Sequence, residues 1–312
     1  MKYTRIAVLG GSGFVGRHVV SALASLECDA VVPTRAREHA KPLFLLPRVQ
    51  IVEADVRDAE ALARVIRGAD AVINLVGILH QTSRVTFNDI HVGVAEAAIE
   101  ACRRNGIRRL VHMSALNADP AGPSAYLRSK GEAEARVAAS GLEWTIFQPS
   151  VIFGPGDRFL NLFARLARIL PVIYLAGAKA RFQPVHVSDV AAALIGAVAD
   201  ANTLGQRYRL CGPRVYSLRE LVAFAAASAG HRRMIVGLPE GIGRAQAWVL
   251  EHLPGKLMSR DNLLSMQVDS VCNCPYPAVF GGTPRAMEDA VPEYLSPSGE
   301  NEAFSLYRRH HQ

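Results

Sequence analysis

The chain has 312 residues, of which 50% are hydrophobic and 20% are charged, a balance typical of a folded protein with a large core. Its net charge is +7, and the arginines are scattered rather than grouped, so we expect a solvated basic surface and no nucleic-acid partner. The five cysteines, an odd number, argue against a disulfide framework and for a reducing compartment. Cys272 and Cys274 form a lone C-x-C without a second pair, so no metal site is expected.

Membrane-spanning and secretory segments are not expected either. No apolar stretch approaches the roughly 20 uninterrupted residues that a transmembrane helix needs. The first apolar run contains several glycines and continues into periodic structure, which a signal peptide does not. We therefore predict a cytoplasmic protein.

Short apolar runs alternate with longer helical patterns over the first 150 residues. Runs such as "RIAVLG" and "AVINLVG" are apolar on both faces, as in a sheet that is covered on both sides. The alternation predicts an α/β fold in which a parallel sheet carries helices on both faces. The predicted strands cover residues 5–9, 30–33, 49–53, 71–75, 109–113 and 144–148, and the predicted helices cover 14–26, 59–66, 86–104 and 124–139.

The pattern changes after Gly154, where "GPGDRF" signals a turn. The stretch "FLNLFARLARILPV" predicts an amphipathic helix ended by Pro171, and "FQPVHVSDVAAALIGAVA" predicts a strand leading into a helix with Ser188 as N-cap. We predict a first domain over 1–155, to which 181–203 return, and a small mixed lobe formed by 156–180 and 204–312.

One stretch of the predicted lobe, "GIGRAQAWVLEHLPGK", is amphipathic. It places Trp248, Leu250 and Leu253 among basic residues. Two interpretations stay open: a helix packed on the lobe, or a contact with a membrane surface or a hydrophobic partner.

A glycine-rich stretch follows the first predicted strand and opens the first helix, as a dinucleotide-binding turn requires. Two patterns overlap in it, because G-x-G-x-x-G begins at Gly11 and G-x-x-G-x-x-G begins at Gly10. Glycines permit the tight turn, let the backbone approach a pyrophosphate and let the helix pack on the sheet, while the helix N-terminus offers N–H groups to phosphates. The residues of the predicted turn are Gly10, Ser12, Gly13, Phe14, Val15 and Gly16.

The end of the second strand, "VVPTRAR", lacks the carboxylate that usually binds the ribose 2′-hydroxyl of NAD. Arg35 and Arg37 stand where a 2′-phosphate would lie, with Thr34 as a hydroxyl donor, and a guanidinium binds phosphate through two parallel hydrogen bonds. NADP(H) is therefore the preferred cofactor, and NAD(H) is the alternative. Asp55, after the third strand, could accept from the adenine amine, although a turn aspartate has the same pattern.

Tyr126 and Lys130, in "AYLRSKGEAEARV", are four residues apart and so share one face of a helix. A free tyrosine has a pKa near about 10, and a nearby ammonium would lower it enough for general acid–base catalysis. Lys130 could also hold the nicotinamide ribose. Ser114, at the end of the fifth strand in "VHMSA", adds a hydroxyl beside the tyrosine, so the three are the candidate catalytic residues.

These motifs resemble the short-chain dehydrogenase/reductase superfamily, on its extended and atypical side, over about residues 1–200. In that family the pattern is G-x-x-G-x-x-G, so the resemblance selects Gly10, Gly13 and Gly16 and implies a Rossmann-type doubly wound sheet. "NLVG", "FQPSVIFGPGD" and "FQPVHVSDVA" follow in the family's order. The further cofactor contacts that the resemblance implies are Val56, Leu75, Val76, Gly77, Tyr126, Lys130, Pro149 and Val151.

Two stretches, "HVGVAEAAIEACRRNGIRRLVHMSAL" and "MSRDNLL", are similar to the NADPH-binding accessory subunit of respiratory complex I and its bacterial relatives. That similarity implies tight dinucleotide binding, with a structural nucleotide in the mitochondrial relatives and a link to ubiquinone synthesis in others. It also implies a peripheral contact with the inner membrane or with respiratory-chain proteins.

Three positions depart from the family pattern or stay ambiguous. His91 stands where extended members carry a proton-relay asparagine, and it could relay a proton or satisfy the backbone. Gln148-Pro149 replaces the family's Arg-Pro, which weakens the case for a sugar-nucleotide substrate. His186 is expected to be structural rather than catalytic.

Our leading hypothesis is an NADP-dependent oxidoreductase that acts on an unidentified small molecule, lipophilic or quinone-related. The alternatives are a non-catalytic NADPH-bound structural or assembly factor of the respiratory chain or ubiquinone synthesis, and an enzyme similar to sugar-nucleotide epimerases or dehydratases.

Overall fold

The computed structural model describes residues 3–253 and 257–296. The last three residues of the amphipathic stretch "GIGRAQAWVLEHLPGK" and the C-terminal end of the predicted lobe lie outside the described residues. The chain divides into two compact units. The first runs to Pro149 and adds Ser188–Leu210 and Pro277–Gly282, and the second comprises Ser150–Val187, Cys211–Tyr276 and the residues from Thr283 onward.

The described residues form strands and helices in the following order. The strands are β1 (Arg5–Leu9), β2 (Asp29–Thr34), β3 (Val49–Glu53), β4 (Ala71–Asn74), β5 (Arg109–Met113), β6 (Glu143–Pro149), β7 (Ile152–Phe153), β8 (Val172–Leu175), β9 (Arg181–Phe182), β10 (Val185–His186), β11 (Gln206–Leu210), β12 (Tyr216–Ser217) and β13 (Met234–Gly237). The helices are α1 (Phe14–Ser25), α2 (Ala59–Val65), α3 (Phe87–Arg104), α4 (Ala125–Ala138), α5 (Phe159–Ile169), α6 (Val187–Ala199), α7 (Leu218–Ser228), α8 (Glu240–His252), α9 (Arg260–Ser265) and α10 (Met287–Leu295).

The first unit is built on a seven-stranded sheet with the order β11-β6-β5-β4-β1-β2-β3. Every neighbouring pair is parallel, which confirms the predicted Rossmann-type α/β sheet. The central strands β1, β2, β4 and β5 are almost entirely buried, whereas the edge strands β3 and β11 are partly exposed. The chain order reverses next to β1, and ligands of such sheets bind at the carboxyl ends of the strands near that point.

Local sequence signals fix the two helices that carry the candidate site. Thr86 caps α3 through a capping box with Asp89, and the Ser124 hydroxyl caps α4 by accepting from Leu127 N at 3.1 Å. Each cap satisfies N–H groups that a helix leaves without backbone partners. α4 therefore begins at Ala125, which places Tyr126 in its first turn.

The second unit contains three two-stranded pairs, β10 with β7, β12 with β9 and β13 with β8. Its own core is formed by apolar residues of α5, α7, α10 and these short strands, including Phe153, Leu160, Leu221 and Val291. In this unit Arg214 pairs with Glu288 at 2.9 Å, and Tyr294 donates to Asp157 at 2.8 Å.

Two expectations from the sequence need correction. Composition argued for reduced cysteines, but Cys211 and Cys272 form a disulfide across 61 residues, whereas Cys28, Cys102 and Cys274 are free thiols. Cysteine spacing along the chain does not report which thiols the tertiary fold brings together. Ser188 is not an N-cap, because α6 already begins at Val187.

The buried side chain of Arg109 on β5 connects this strand with β6 and α6. The Arg109 side chain is 1% exposed, and its guanidinium donates to the Glu143 carbonyl at 2.6 Å, the Thr145 hydroxyl at 2.7 Å and the Ala197 carbonyl at 2.6 Å. Burial lowers the pKa of this group. The hydrogen bonds offset the cost of removing the charge from water.

We expect Arg109→Met to lower the free energy of unfolding by about 2–4 kcal/mol, because it leaves several buried acceptors without a donor. Urea unfolding of the full chain would measure the loss. Arg108→Met is the matched control, since Arg108 forms only an exposed ion pair with Glu143, and it should cost less than about 1 kcal/mol. Equal losses in the two variants would contradict the structural role of Arg109.

Candidate cofactor and active site

The turn between β1 and α1 depends on glycines that lie against backbone. Gly10 has φ +78°, a conformation that disfavours other residues, and its carbonyl accepts from Gly13 N at 2.9 Å. A Cβ on Gly16 would overlap the Gly10 carbonyl oxygen and lie 2.5 Å from the Gly11 Cα. A Cβ on Gly11 would instead first meet a Val32 methyl group, at 2.9 Å. The close backbone approach of α1 therefore centres on Gly10 and Gly16, the first and last glycines of the spacing that the resemblance selects.

The same turn leaves the start of α1 without a side-chain cap. Gly13 is the N-cap, and no acidic residue lies in the first turn. Ser12 and Phe14 are half-buried and Val15 is buried. The cradle that a Cβ would fill, next to uncapped helical N–H groups, fits the pyrophosphate of a dinucleotide.

Two exposed arginines, Arg35 and Arg37, follow the end of β2. Thr34 is buried, and its hydroxyl donates to the Ala36 carbonyl at 3.0 Å, so that hydroxyl is used locally. The Arg37 guanidinium lies 5.7 Å from the centre of the Phe44 ring, a cation–π contact. Arg35 is exposed, and it is the candidate cation for a 2′-phosphate.

Asp55 forms the turn after β3. Its carboxylate accepts from Arg57 N and Nε, both at 3.0 Å, and these bonds hold the pKa of Asp55 below its usual value, with a smaller effect from the Arg35 charge. Val56 packs against the core of the first unit. The contact of Asp55 with an adenine amine stays a prediction.

The segment after β4 lies against both the glycine turn and α4. Leu75 N donates to Leu9 O at 2.9 Å, and Val76 N donates to the Asn74 side chain at 3.1 Å. A Cβ on Gly10 would lie 3.2 Å from Val76 N, and a Cβ on Gly77 would lie 3.2 Å from Lys130 Nζ. The structure therefore brings the turn, Leu75–Gly77 and Lys130 together.

Lys130 and Tyr126 occupy the same face of α4, but they do not interact as predicted. The buried Lys130 ammonium donates to the Met113 carbonyl at 3.2 Å, and burial lowers its pKa to about 8, against the opposing effect of the Glu134 charge. Burial raises the pKa of Tyr126 to about 12. The prediction that Lys130 lowers the tyrosine pKa is therefore wrong for this structure, because spacing fixes the helix face but not where the ammonium points.

His91 connects the segment after β4 with α4. Its Nε2 accepts from Ile78 N at 3.2 Å, and its Nδ1 lies 2.8 Å from the Ser129 hydroxyl. The ring stacks on Phe87 at 5.5 Å and meets the Tyr126 ring edge-on at 5.4 Å. Burial and then the Lys130 charge lower its pKa to about 2. His91 is thus a neutral imidazole with both nitrogens in hydrogen bonds, and its backbone partner is an N–H rather than a carbonyl.

Two polar side chains at the end of β5 are buried. Ser114 N donates to Phe147 O at 2.7 Å, whereas the Ser114 hydroxyl has no hydrogen-bond partner among the described residues. His112 Nδ1 lies 3.3 Å from the Asn74 amide, and burial lowers the pKa of His112 to about 3. Sequence reasoning missed His112 and Asn74. Each is a polar residue inside a buried strand, and that interruption of an apolar run was the one signal that could have drawn attention to it.

Gln148 has a structural partner. Its amide donates to both oxygens of the buried Glu134 carboxylate, at 2.9 and 3.1 Å, and Arg207 Nε also bonds that carboxylate at 3.3 Å. Gln148, which stands in place of the family's arginine, therefore holds the Glu134 carboxylate. The charge of that carboxylate opposes the lowering of the Lys130 pKa. Pro149 O accepts from Leu116 N at 2.9 Å.

Two residues singled out from the sequence lie in the second unit. Val151 packs against the core of that unit. His186 is buried there, with its ring 5.2 Å from that of Phe153.

Residues 3–253 and 257–296 contain neither a metal-ligand cluster nor a membrane-spanning helix. Within those ranges no three His, Cys, Asp or Glu side chains gather as metal ligands. No helix of the described part is both long and apolar enough to cross a bilayer.

Comparison with known proteins places this chain among NAD(P)H-binding proteins. A family model described as NAD(P)H-binding matches residues 10–158, which include the glycine turn, Tyr126 and Lys130. The mitochondrial NADH-ubiquinone oxidoreductase 40 kDa subunit of Neurospora crassa is 32% identical over 260 residues, 82% of this chain and 68% of that protein. The ceramide reductase of Caulobacter vibrioides is 33% identical over 250 residues, 78% of this chain and 77% of that protein.

Solved structures share the fold. The NADPH-dependent quinone oxidoreductase QOR2 of Escherichia coli, complexed with NADPH, matches with a TM-score of 0.74 and 20% identity over 93% of this chain and 99% of that chain. Two further sequence relatives are longer than this chain. They are the mitochondrial NADH dehydrogenase [ubiquinone] 1 alpha subcomplex subunit 9 of Arabidopsis thaliana and of Mus musculus, and this chain spans 61% and 59% of their lengths. The chain belongs to the NAD(P)H-binding, oxidoreductase-like family of atypical short-chain dehydrogenases/reductases that includes these complex I subunits and the ceramide reductase.

Proposed function

We propose that this protein is an NADP(H)-dependent reductase that converts a carbonyl or quinone oxygen of a lipophilic substrate to a hydroxyl. The observation that carries the proposal is the cluster of Tyr126, Lys130 and His91 beside Gly77 and the glycine turn. A turn shaped for a dinucleotide and a half-buried proton donor thus lie at the carboxyl ends of the central strands.

Residues of the first unit would hold the cofactor. The turn of Gly10, Gly13 and Gly16 would bind the pyrophosphate, and the exposed Arg35 would bind the 2′-phosphate. Lys130 would donate to the nicotinamide ribose. When bound, the nicotinamide supplies a hydride.

The protonation state of Tyr126 favours reduction over oxidation. With a pKa raised to about 12, the phenol keeps its proton at neutral pH. It can therefore donate that proton to the oxygen of a substrate as negative charge develops there. The buried Ser114 hydroxyl would orient the same oxygen.

His91 would act as a positioning residue and not as a proton relay. Both of its ring nitrogens are in hydrogen bonds, and its pKa is lowered to about 2, so it stays neutral near pH 7 and does not take up a second proton. It fixes Ile78 on one side and the Tyr126 ring on the other, which keeps the donor aimed at the site.

The substrate class rests on relatives and on the apolar Phe87 ring at the site. One relative is named a ceramide reductase and a protein of the same fold a quinone oxidoreductase. A second candidate function is a non-catalytic subunit or assembly factor that keeps NADPH as a structural ligand. It is favoured by the 32% identity to a complex I subunit. It is also favoured because the Lys130 ammonium donates to the Met113 backbone oxygen and does not lower the pKa of Tyr126.

Single-turnover oxidation of bound NADPH separates the two candidates. Mixed with a panel of quinones and apolar ketones, the native chain should oxidise NADPH, and Tyr126→Phe should slow this step by about 10²–10⁴-fold while leaving nucleotide affinity unchanged. Phe87→Leu is the control for apolar packing at the site and should have a smaller effect. Tight nucleotide binding without oxidation in every protein would favour the structural role.

Cofactor choice is tested by charge reversal at the end of β2. Arg35→Asp should weaken NADPH binding by about 10–100-fold, because a charged hydrogen bond to phosphate is lost, while NADH binding changes little. Arg37→Asp is the matched control, since Arg37 lies on the Phe44 ring. Titration by fluorescence would measure both nucleotides, and an equal loss for NADPH and NADH would remove the case for NADP.

Lys130 should give the pH profile its alkaline limb. Its pKa is lowered to about 8, so the ammonium is present below that pH and lost above it, and turnover and nucleotide affinity should fall together above about pH 8. In Lys130→Arg the limb should disappear, because arginine stays charged to beyond about pH 12. No limb is expected near the ordinary histidine pKa of about 6.5, and one that vanished in His91→Gln would restore a relay role.

A further inference from the structure

Helix α8 in the second unit turns its apolar face outward. The residues that it buries are the small Gly243 and Ala247. Ile242, Trp248 and Val249, which share the opposite face at helical spacing, are exposed, and Trp248 is 53% exposed. Surface helices normally bury such a stripe.

This orientation is fixed by contacts with β8. The Gln246 side chain accepts from Ala176 N at 3.2 Å and donates to Tyr174 O at 2.8 Å. A Cβ on Gly243 would lie 3.0 Å from the Ala176 Cβ, so the small residues allow α8 to lie close to the strand end. The polar and small face is thus the packed face, and the aromatic and aliphatic face is left outside.

Neighbouring elements of the same unit also expose large apolar side chains. Tyr174 on β8 is exposed, and Val172 on the same strand pairs with Met234 on β13, which is 65% exposed. Ile169, at the end of α5 and three residues before β8, is 78% exposed. We call the exposed set of Ile169, Tyr174, Met234, Ile242, Trp248 and Val249 the apolar patch.

The two segments that carry Ile169, Tyr174 and Met234 are basic. Residues 158–184 contain five arginines and lysines and no carboxylate, and residues 229–239 contain two arginines and no carboxylate. Arg165, Arg168 and Arg232 are exposed. Glu240 and Glu251, on α8 itself, are paired with Arg244 and Arg260. A positive field around an apolar surface is complementary to an anionic lipid surface.

We propose that the apolar patch docks the second unit on an anionic lipid bilayer. Trp248 would lie at the level of the headgroups, where amphipathic rings are enriched, with Ile242 and Val249 beside it at the acyl boundary. The arginines of α5 and of the segment before β13 would contact lipid phosphates. The proposal is independent of any catalytic activity.

Vesicle sedimentation of the full chain tests the proposal. Binding to phosphatidylcholine vesicles that contain phosphatidylglycerol should exceed binding to phosphatidylcholine alone and should fall with added salt. Trp248→Gln should weaken it by about tenfold. Leu45→Gln, which changes an exposed leucine of the first unit, is the matched control and should bind like the native chain.

Charge and depth are tested separately. Arg165→Glu with Arg168→Glu should remove the preference for anionic lipid, whereas Arg67→Glu, an exposed arginine of the first unit, should keep it. The chain has two tryptophans, so in Trp144→Phe the fluorescence of Trp248 alone should shift to the blue on vesicle binding. Thermal unfolding of each variant verifies that it is folded.

Three results would overturn the proposal. The first is that the native chain does not bind anionic vesicles, and the second is that it binds neutral and anionic vesicles equally. The third is self-association that Trp248→Gln abolishes, without vesicle binding, because the apolar patch would then be an interface between two copies of this chain.

Discussion

The close approach of α1 to the end of β1 is the constraint on which the candidate site depends. Gly16 has no room for a Cβ against the Gly10 carbonyl, so the turn is bare backbone and α1 starts uncapped beside it. Gly10 in turn lies against Val76, and this contact fixes the segment after β4. Gly77 in that segment lies against Lys130 Nζ. One series of close contacts thus connects the glycine turn with α4.

Burial at this point shifts the pKa values of Lys130, Tyr126 and His91 away from their ordinary values. The Lys130 ammonium has a backbone carbonyl as hydrogen-bond partner, and its loss of charge is opposed by Glu134, which Gln148 and Arg207 hold in place. Burying a cation without a close counterion costs free energy. Perturbed groups of this kind cluster at functional sites, and here they lie next to Tyr126, whose pKa burial raises.

Sequence patterns predicted the sheet of the first unit well and the electrostatics of its site poorly. The bounds of β1, β3 and β5 coincide with the prediction, because each is a short run with an apolar centre bounded by turn residues. Helical spacing placed Tyr126 and Lys130 on one face, but it carries no information on burial, which decides both pKa shifts. His112 escaped notice because a polar residue inside a buried strand has no periodic signature, and the Cys211–Cys272 disulfide depends on long-range folding.

The amphipathic pattern of α8 illustrates a further limit of sequence reasoning, since a pattern shows that a helix has two faces but not which face the protein covers. Here Gln246 bonds the backbone of β8, and that side-chain geometry leaves Trp248 outside. The proposed lipid contact and the proposed substrate class have a common thermodynamic basis. A lipophilic substrate partitions into the bilayer, so its concentration is high there and low in water. A reductase that binds lipid shares that phase with its substrate, which raises the encounter rate without any added affinity between the two.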